Sequence, residues 1–109
     1  MMRISFDVDG TYSDYQDEFD SLALMLQQSG HEVGFLSGRS EDNPAGDEFE
    51  LGFVPDFEYY LGLDDDLTEQ EKCLEKATKM TEEDIDLHFD DQEPFPNYVN
   101  VIHIEPDNG

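Results

Sequence analysis

The stretch Arg3-Ile4-Ser5-Phe6-Asp7-Val8-Asp9-Gly10-Thr11 decides how the rest of the chain is read. Apolar residues run to its middle and read as a strand over 3–8. Two aspartates one residue apart close it, and a glycine and a threonine follow at once. Side chains alternate along a strand, so Asp7 and Asp9 are expected on one side of it. Two carboxylates that close repel unless a positive charge lies between them. A divalent cation with oxygen ligands, normally magnesium, is one solution. Protonation of one of the pair, which then works as an acid, is the other.

Outward from this strand the pattern repeats. Ser13-Asp14-Tyr15-Gln16 has the form of a capping box with Ser13 as N-cap. Phe19, Leu22, Ala23 and Leu26 follow at helical spacing as a one-sided apolar stripe, and Gly30 is placed to end the helix. A second strand over 31–36 runs into Ser37-Gly38-Arg39. Strand, helix and strand fit a right-handed crossover between parallel strands. Residues 40–55 read as a loop with a short helix around 46–51, and 56–61 as a third strand. Asp64-Asp65-Asp66 reads as a solvated acidic turn.

Thr68-Glu69-Gln70-Glu71 is a second capping box, and its helix is expected to reach Met80. Cys73, Leu74, Ala77 and Met80 fall on one face of it, Lys72, Lys76 and Lys79 on another. A fourth strand over 86–89 ends in Asp90-Asp91. Pro94 and Pro96 mark a loop, 98–104 a last strand, and 105–109 a polar tail. The expected fold is an α/β, three-layer Rossmann-like domain over residues 1–109, with a mostly parallel sheet of about five strands. Ligands bind such sheets at the carboxyl ends of the strands. Asp7, Asp9, Ser37 and Asp90 all lie at or just past such ends.

Charge narrows the function classes. The chain has 29 acidic residues against five basic ones, a net charge of −24. Direct binding of a nucleic-acid backbone needs clustered Lys and Arg, and the balance argues against it. Acid-rich, lysine-poor composition resembles that of proteins from salt-accumulating halophiles, where high salt screens the repulsion. An acidic protein that mimics nucleic acid and occupies a basic partner is a second reading of the charge, and an ordinary acidic surface a third. No run of eighteen apolar residues suggests a membrane span. The first residues lack the apolar core of a secretory signal, and a cytoplasmic location is expected. Cys73 is the single cysteine and reads as a core thiol. His31, His88 and His103 show no metal-ligand spacing and read as structural strand residues.

By residue type alone, Asp7 is a metal ligand or a nucleophile, and Asp9 a ligand or a general acid and base. The Ser37 hydroxyl suits an oxyanion, Lys72 or Lys76 supplies a compact positive charge, and Asp90 and Asp91 supply further metal ligands. A carboxylate nucleophile, a hard cation and a lysine together suit phosphoryl transfer.

This set resembles the haloacid dehalogenase (HAD) superfamily of phosphohydrolases. Phe6-Asp7-Val8-Asp9-Gly10-Thr11 is similar to its first motif, Phe35-Leu36-Ser37-Gly38-Arg39 to its second, and Leu87-His88-Phe89-Asp90-Asp91 to its fourth. A lysine upstream of the fourth motif is its third. The motifs span residues 3–91 in order.

The resemblance implies that Asp7 is the phosphoryl-accepting nucleophile and Asp9 the acid and base. Ser37 would hold a phosphate oxygen, with Thr11, Gly38 and Arg39 as further substrate contacts. Asp7, the Asp9 carbonyl and Asp90 would hold Mg2+, supported by Asp91. Lys72 lies near its helix start, where the family usually places the motif lysine, and is favoured slightly over Lys76. No insertion is large enough for a cap domain. Capless members leave the site open, and small virus-encoded HAD-like proteins share the layout, which would place the protein in a host cytoplasm.

The expected activity is that of a magnesium-dependent phosphatase on a small phosphorylated metabolite or nucleotide, with a homodimer as one way to cover the open site. The alternative is a catalytically weak or inactive acidic binding protein of the same fold that sequesters a basic partner.

Overall fold

Five strands form one sheet, and every neighbouring pair in it is parallel. The computed structural model describes residues 1–105; of the expected tail, 106–109 lie outside the described residues. The strands are β1 (Arg3–Phe6), β2 (Glu32–Ser37), β3 (Glu58–Tyr60), β4 (Leu87–Asp90) and β5 (Val101–His103). The helices are α1 (Gln16–Gln28), α2 (Ala45–Glu48) and α3 (Glu69–Glu82). This is the Rossmann-like, three-layer α/β arrangement, with a sheet wholly rather than mostly parallel. Among the described residues no helix is long and apolar enough to cross a membrane.

The strand order is β3-β2-β1-β4-β5. From β1 the chain winds outward to β3, then crosses back to lay β4 on the other side of β1. A crevice opens at the carboxyl ends of the two strands that flank such a reversal. Asp7 leaves β1 there, and Asp90 ends β4 there.

Alternation along the strands divides the core. Ile4 and Phe6 of β1 join Val33 and Phe35 of β2 in one cluster with Phe19 and Ala23 of α1. Leu36 of β2 lies in a second cluster with Met80 of α3 and Ile85. Phe6 is ringed by aromatic neighbours, with ring centres at 4.6 Å from Phe19 and 5.5 Å from Phe89. Phe53, from the stretch read as an open loop, is buried and adds an edge-on contact to Phe6.

Local expectations change: the third strand covers only Glu58–Tyr60 of the expected 56–61, and the last only Val101–His103 of 98–104. β1 ends at Phe6 rather than Val8. The next residues form a wide turn in which Tyr12 N–H donates to the Asp7 carbonyl at 3.2 Å and Ser13 N–H to that of Val8 at 2.9 Å. Ser13 does not cap α1: its hydroxyl accepts the Gly10 N–H at 3.0 Å, and α1 starts at Gln16. The turn's own donors take the hydroxyl first. The short helix is the single turn α2, slightly earlier than expected.

On α3 the buried residues are Cys73, Lys76, Ala77 and Met80, whereas Leu74 is 50% exposed. Both sets have helical spacing, and the carboxylates that draw in Lys76 select between them. The Thr68 capping box forms as expected, with Thr68 Oγ1 accepting the Glu71 N–H at 3.1 Å and Glu71 accepting the Thr68 N–H at 2.9 Å.

Candidate active site

Asp7 stands at the first residue past β1 and is still tied to the sheet, its N–H donating to the Phe89 carbonyl at 2.9 Å. Its side chain is buried. Asp90 and Asp91 come from the end of β4, and one oxygen from each of the three carboxylates lies within 4.8 Å of the others. Lys76 enters from α3, its Nζ 2.8 Å from Asp90 and 3.5 Å from Asp7. Lys76 therefore holds the place for which Lys72 was slightly favoured.

The interior of this cluster is fully bonded. Asp90 Oδ2 accepts from Lys76 and lies 2.8 Å from His88 Nε2, while its Oδ1 accepts the Gln92 N–H at 2.9 Å. His88 Nδ1 lies 2.7 Å from Ser5 Oγ. Lys76 also donates to Gln92 Oε1 at 2.9 Å. Burial pushes the His88 imidazole below its ordinary value, so the ring is neutral at neutral pH. A neutral ring satisfies both contacts by donating from Nε2 to Asp90 and accepting the Ser5 hydroxyl at Nδ1. Among the described residues no buried side-chain nitrogen or oxygen lacks a partner.

Electrostatics separate the three acids. Burial alone would raise the Asp90 carboxyl, but its bond to His88 and the Lys76 ammonium outweigh burial and hold it well below the usual range. Burial raises Asp7 well above that range; Lys76 pulls it down less than burial, Asp90 and Asp91 push it up. Asp91 is raised by burial and by Asp90. Burial disfavours the charge on Lys76, and Asp7 and Asp90 more than restore it. Three carboxyl groups thus meet one ammonium, so the cluster cannot ionise fully without a further positive charge, and the raised Asp7 and Asp91 carboxyls reflect that.

Gly10 is required beside them. Its φ is +78°, and a Cβ there would run into the Asp91 carboxylate.

Asp9 does not join the cluster. The strand has ended before it, so alternation no longer places it beside Asp7. Its carboxylate turns to Arg39, which grips it with two hydrogen bonds of 2.9 and 2.8 Å and also pairs with Glu48 at 3.2 Å. The Arg39 side chain is 7% exposed and that of Asp9 63%. The bond to Asp9 raises the guanidinium above its ordinary value.

A cleft of about 450 Å³ opens over these groups. Asp7, Asp9, Ser37, Gly38, Arg39 and Asp91 are among the residues that line it, as are Lys72, Lys76, Gln92, Leu63 and Asp65. One expectation is corrected here. Thr11 is wholly buried, and its hydroxyl donates to Asp91 at 3.4 Å instead of facing the cleft. Asp90, expected to hold the ion with Asp91 in support, lies in the three-carboxylate group but is buried and paired with Lys76, whereas Asp91 faces the cleft.

Ser5, His88 and Gln92 are the polar partners that motif reading missed. Ser5 stands opposite His88 in the register of β1 and β4. A serine and a histidine inside otherwise apolar strands were the available signal. Comparison with family models, curated proteins and solved structures returns no match to this chain.

Proposed function

We propose that the protein is a magnesium-dependent phosphatase that hydrolyses a small phosphomonoester, a metabolite or nucleotide, through an aspartyl-phosphate on Asp7. The supporting observation is the crowding of acid: three carboxyl groups share one ammonium at the carboxyl ends of β1 and β4, beneath an open cleft. Hard oxygen donors that lack enough positive charge to ionise together fit Mg2+. Asp7 and Asp91, with the backbone carbonyl of Asp9, would hold the ion, and Asp90 would hold Lys76. When bound, magnesium neutralises charge on the phosphoryl group and keeps Asp7 ionised.

The remaining steps belong to the chain. Ser37, at the tip of β2, donates its hydroxyl to a phosphoryl oxygen, and Lys76 offsets charge beside Asp7. An Asp7 oxygen attacks phosphorus, the bond to the leaving oxygen breaks, and that oxygen takes a proton from Asp9. Asp9 then accepts a proton from water as the water oxygen attacks the acyl phosphate, which returns Asp7 and releases phosphate. Both tasks need Asp9 to leave the grip of Arg39. The Arg39–Asp9 clamp is also the observation that favours the second reading, an acidic binding protein without turnover.

Turnover of an aryl phosphate at low and at molar salt tests the proposal. Asp7→Asn is expected to lower it by about a thousandfold or more. Activity in the variant equal to that of the native protein rejects the mechanism. Magnesium is also expected to raise the melting temperature, reversibly on chelation, and Asp91→Asn to remove most of that shift. A magnesium shift without turnover selects the binding protein.

A further inference from the structure

Of the five cations in the chain, four are used by the fold. Arg3 pairs with Glu32, Arg39 with Asp9 and Glu48, Lys76 with Asp7 and Asp90, and Lys79 with Glu83. Lys72 is the fifth. Among the described residues its ammonium has neither a hydrogen bond nor an ion pair, and it lines the cleft. In a chain with 29 acidic residues, partners for a lysine are plentiful. Asp65 lines the same cleft and still makes no ion pair with it.

The placement of Lys72 is unfavourable for the helix by itself. It is the fourth residue of α3, in the turn where the helix carries partial positive charge and an acid is preferred. It also stands one turn before Lys76, and like charges at that spacing repel. Glu69 and Glu71 in the first turn and the carboxylates on Lys76 reduce these penalties, but none of them pairs with Lys72. A ligand anion at Lys72 would supply the partner it lacks and lower both further.

We propose that Lys72 binds a second anionic group of the substrate, a phosphate or a carboxylate held about one helical turn, ~5–6 Å, from the phosphoryl group at Asp7. The placing of that first group rests on the phosphatase reading. Leu63, on the wall of the cleft, offers apolar contact to the carbon frame between the two anions. The substrate class is therefore a doubly anionic small molecule, a bisphosphate or a phosphorylated acid. Singly charged esters would bind more weakly.

Calorimetric titration with ligands that cannot be hydrolysed tests this in magnesium at fixed ionic strength. Propylphosphonate carries one anion, trimethylene bisphosphonate two, and phosphonobutyrate replaces the second phosphonate by a carboxylate. The second anion is expected to tighten binding to the native protein about tenfold. Whichever of the two doubly charged ligands shows the larger gain identifies the second group. Lys72→Gln is expected to shrink the gain to less than about twofold, and Lys72→Arg to keep most of it.

Equal affinity for the one-anion and two-anion ligands, binding of none of them, or an undiminished gain in Lys72→Gln overturns the proposal. A gain that depends on Lys72 in a protein that hydrolyses no aryl phosphate rejects the phosphatase reading and keeps the two-anion cleft. Hydrolysis without the gain does the reverse.

Discussion

The two ion pairs flanking the cleft are opposites. On the β1–β4 side, Lys76 and Asp90 are 2% and 0% exposed in their side chains and are locked by Ser5, His88 and Gln92. On the β2 side, Arg39 is covered too, but the Asp9 it holds is 63% exposed in its side chain. A buried charge must keep its partner, because losing it leaves a desolvated ion. A charge at the surface exchanges its partner for water at little cost. The first pair is therefore a fixed part of the sheet interior. The second is a resting pose that substrate or solvent can replace, which suits a group that has to swing towards Asp7 to move a proton.

Removing one cation from each side breaks the comparison most directly. Lys76→Met is expected to cost about 3–5 kcal/mol at neutral pH, read by urea denaturation, because Asp7 and Asp90 lose their shared ammonium. That loss should shrink on acidification. Asp7 has a folded-state pKa raised above the unfolded one, so the folded chain takes up a proton more readily and gains stability as pH falls through the raised value.

A smaller effect sharpens the role of the buried network. The folded-state pKa of His88 lies below the unfolded value of 6.5. Its contribution to stability is complete above that value and is lost as pH falls towards the lowered one, by up to about 1.4 kcal/mol per pH unit. His88→Gln should remove this slope when urea midpoints are compared at about pH 7 and about pH 5.5. An unchanged slope would show that the imidazole titrates as though exposed. Smallest of all, Arg39→Gln is expected to cost about 1 kcal/mol: the Arg39 side chain is covered, but the carboxylates it leaves, Asp9 and Glu48, stand in water. A loss as large as that of Lys76→Met would erase the distinction between the two sides.

Much of this was legible in the chain. Apolar strands with helices between them specify a parallel sheet, and the aspartates at the strand ends specify where to look. Thr68-Glu69-Gln70-Glu71 fixed a helix start because both of its hydrogen bonds are local. Ser13-Asp14-Tyr15-Gln16 has the same form and failed, because Gly10 claimed the hydroxyl and Glu50 the Gln16 amide. The loop over 40–55 hid Phe53, whose burial depends on rings from other elements.

Asp7, Asp90 and Asp91 could be drawn together from the sequence, since a parallel sheet aligns its carboxyl ends whatever else varies. Lys76 over Lys72, Asp91 over Asp90 at the cleft, and Asp9 turned away to Arg39 were decided by the tertiary structure. Each depends on which partner lies within a few ångströms after folding. Sequence spacing supplies the candidates for such contacts; burial, which makes an unpartnered charge costly, selects among them.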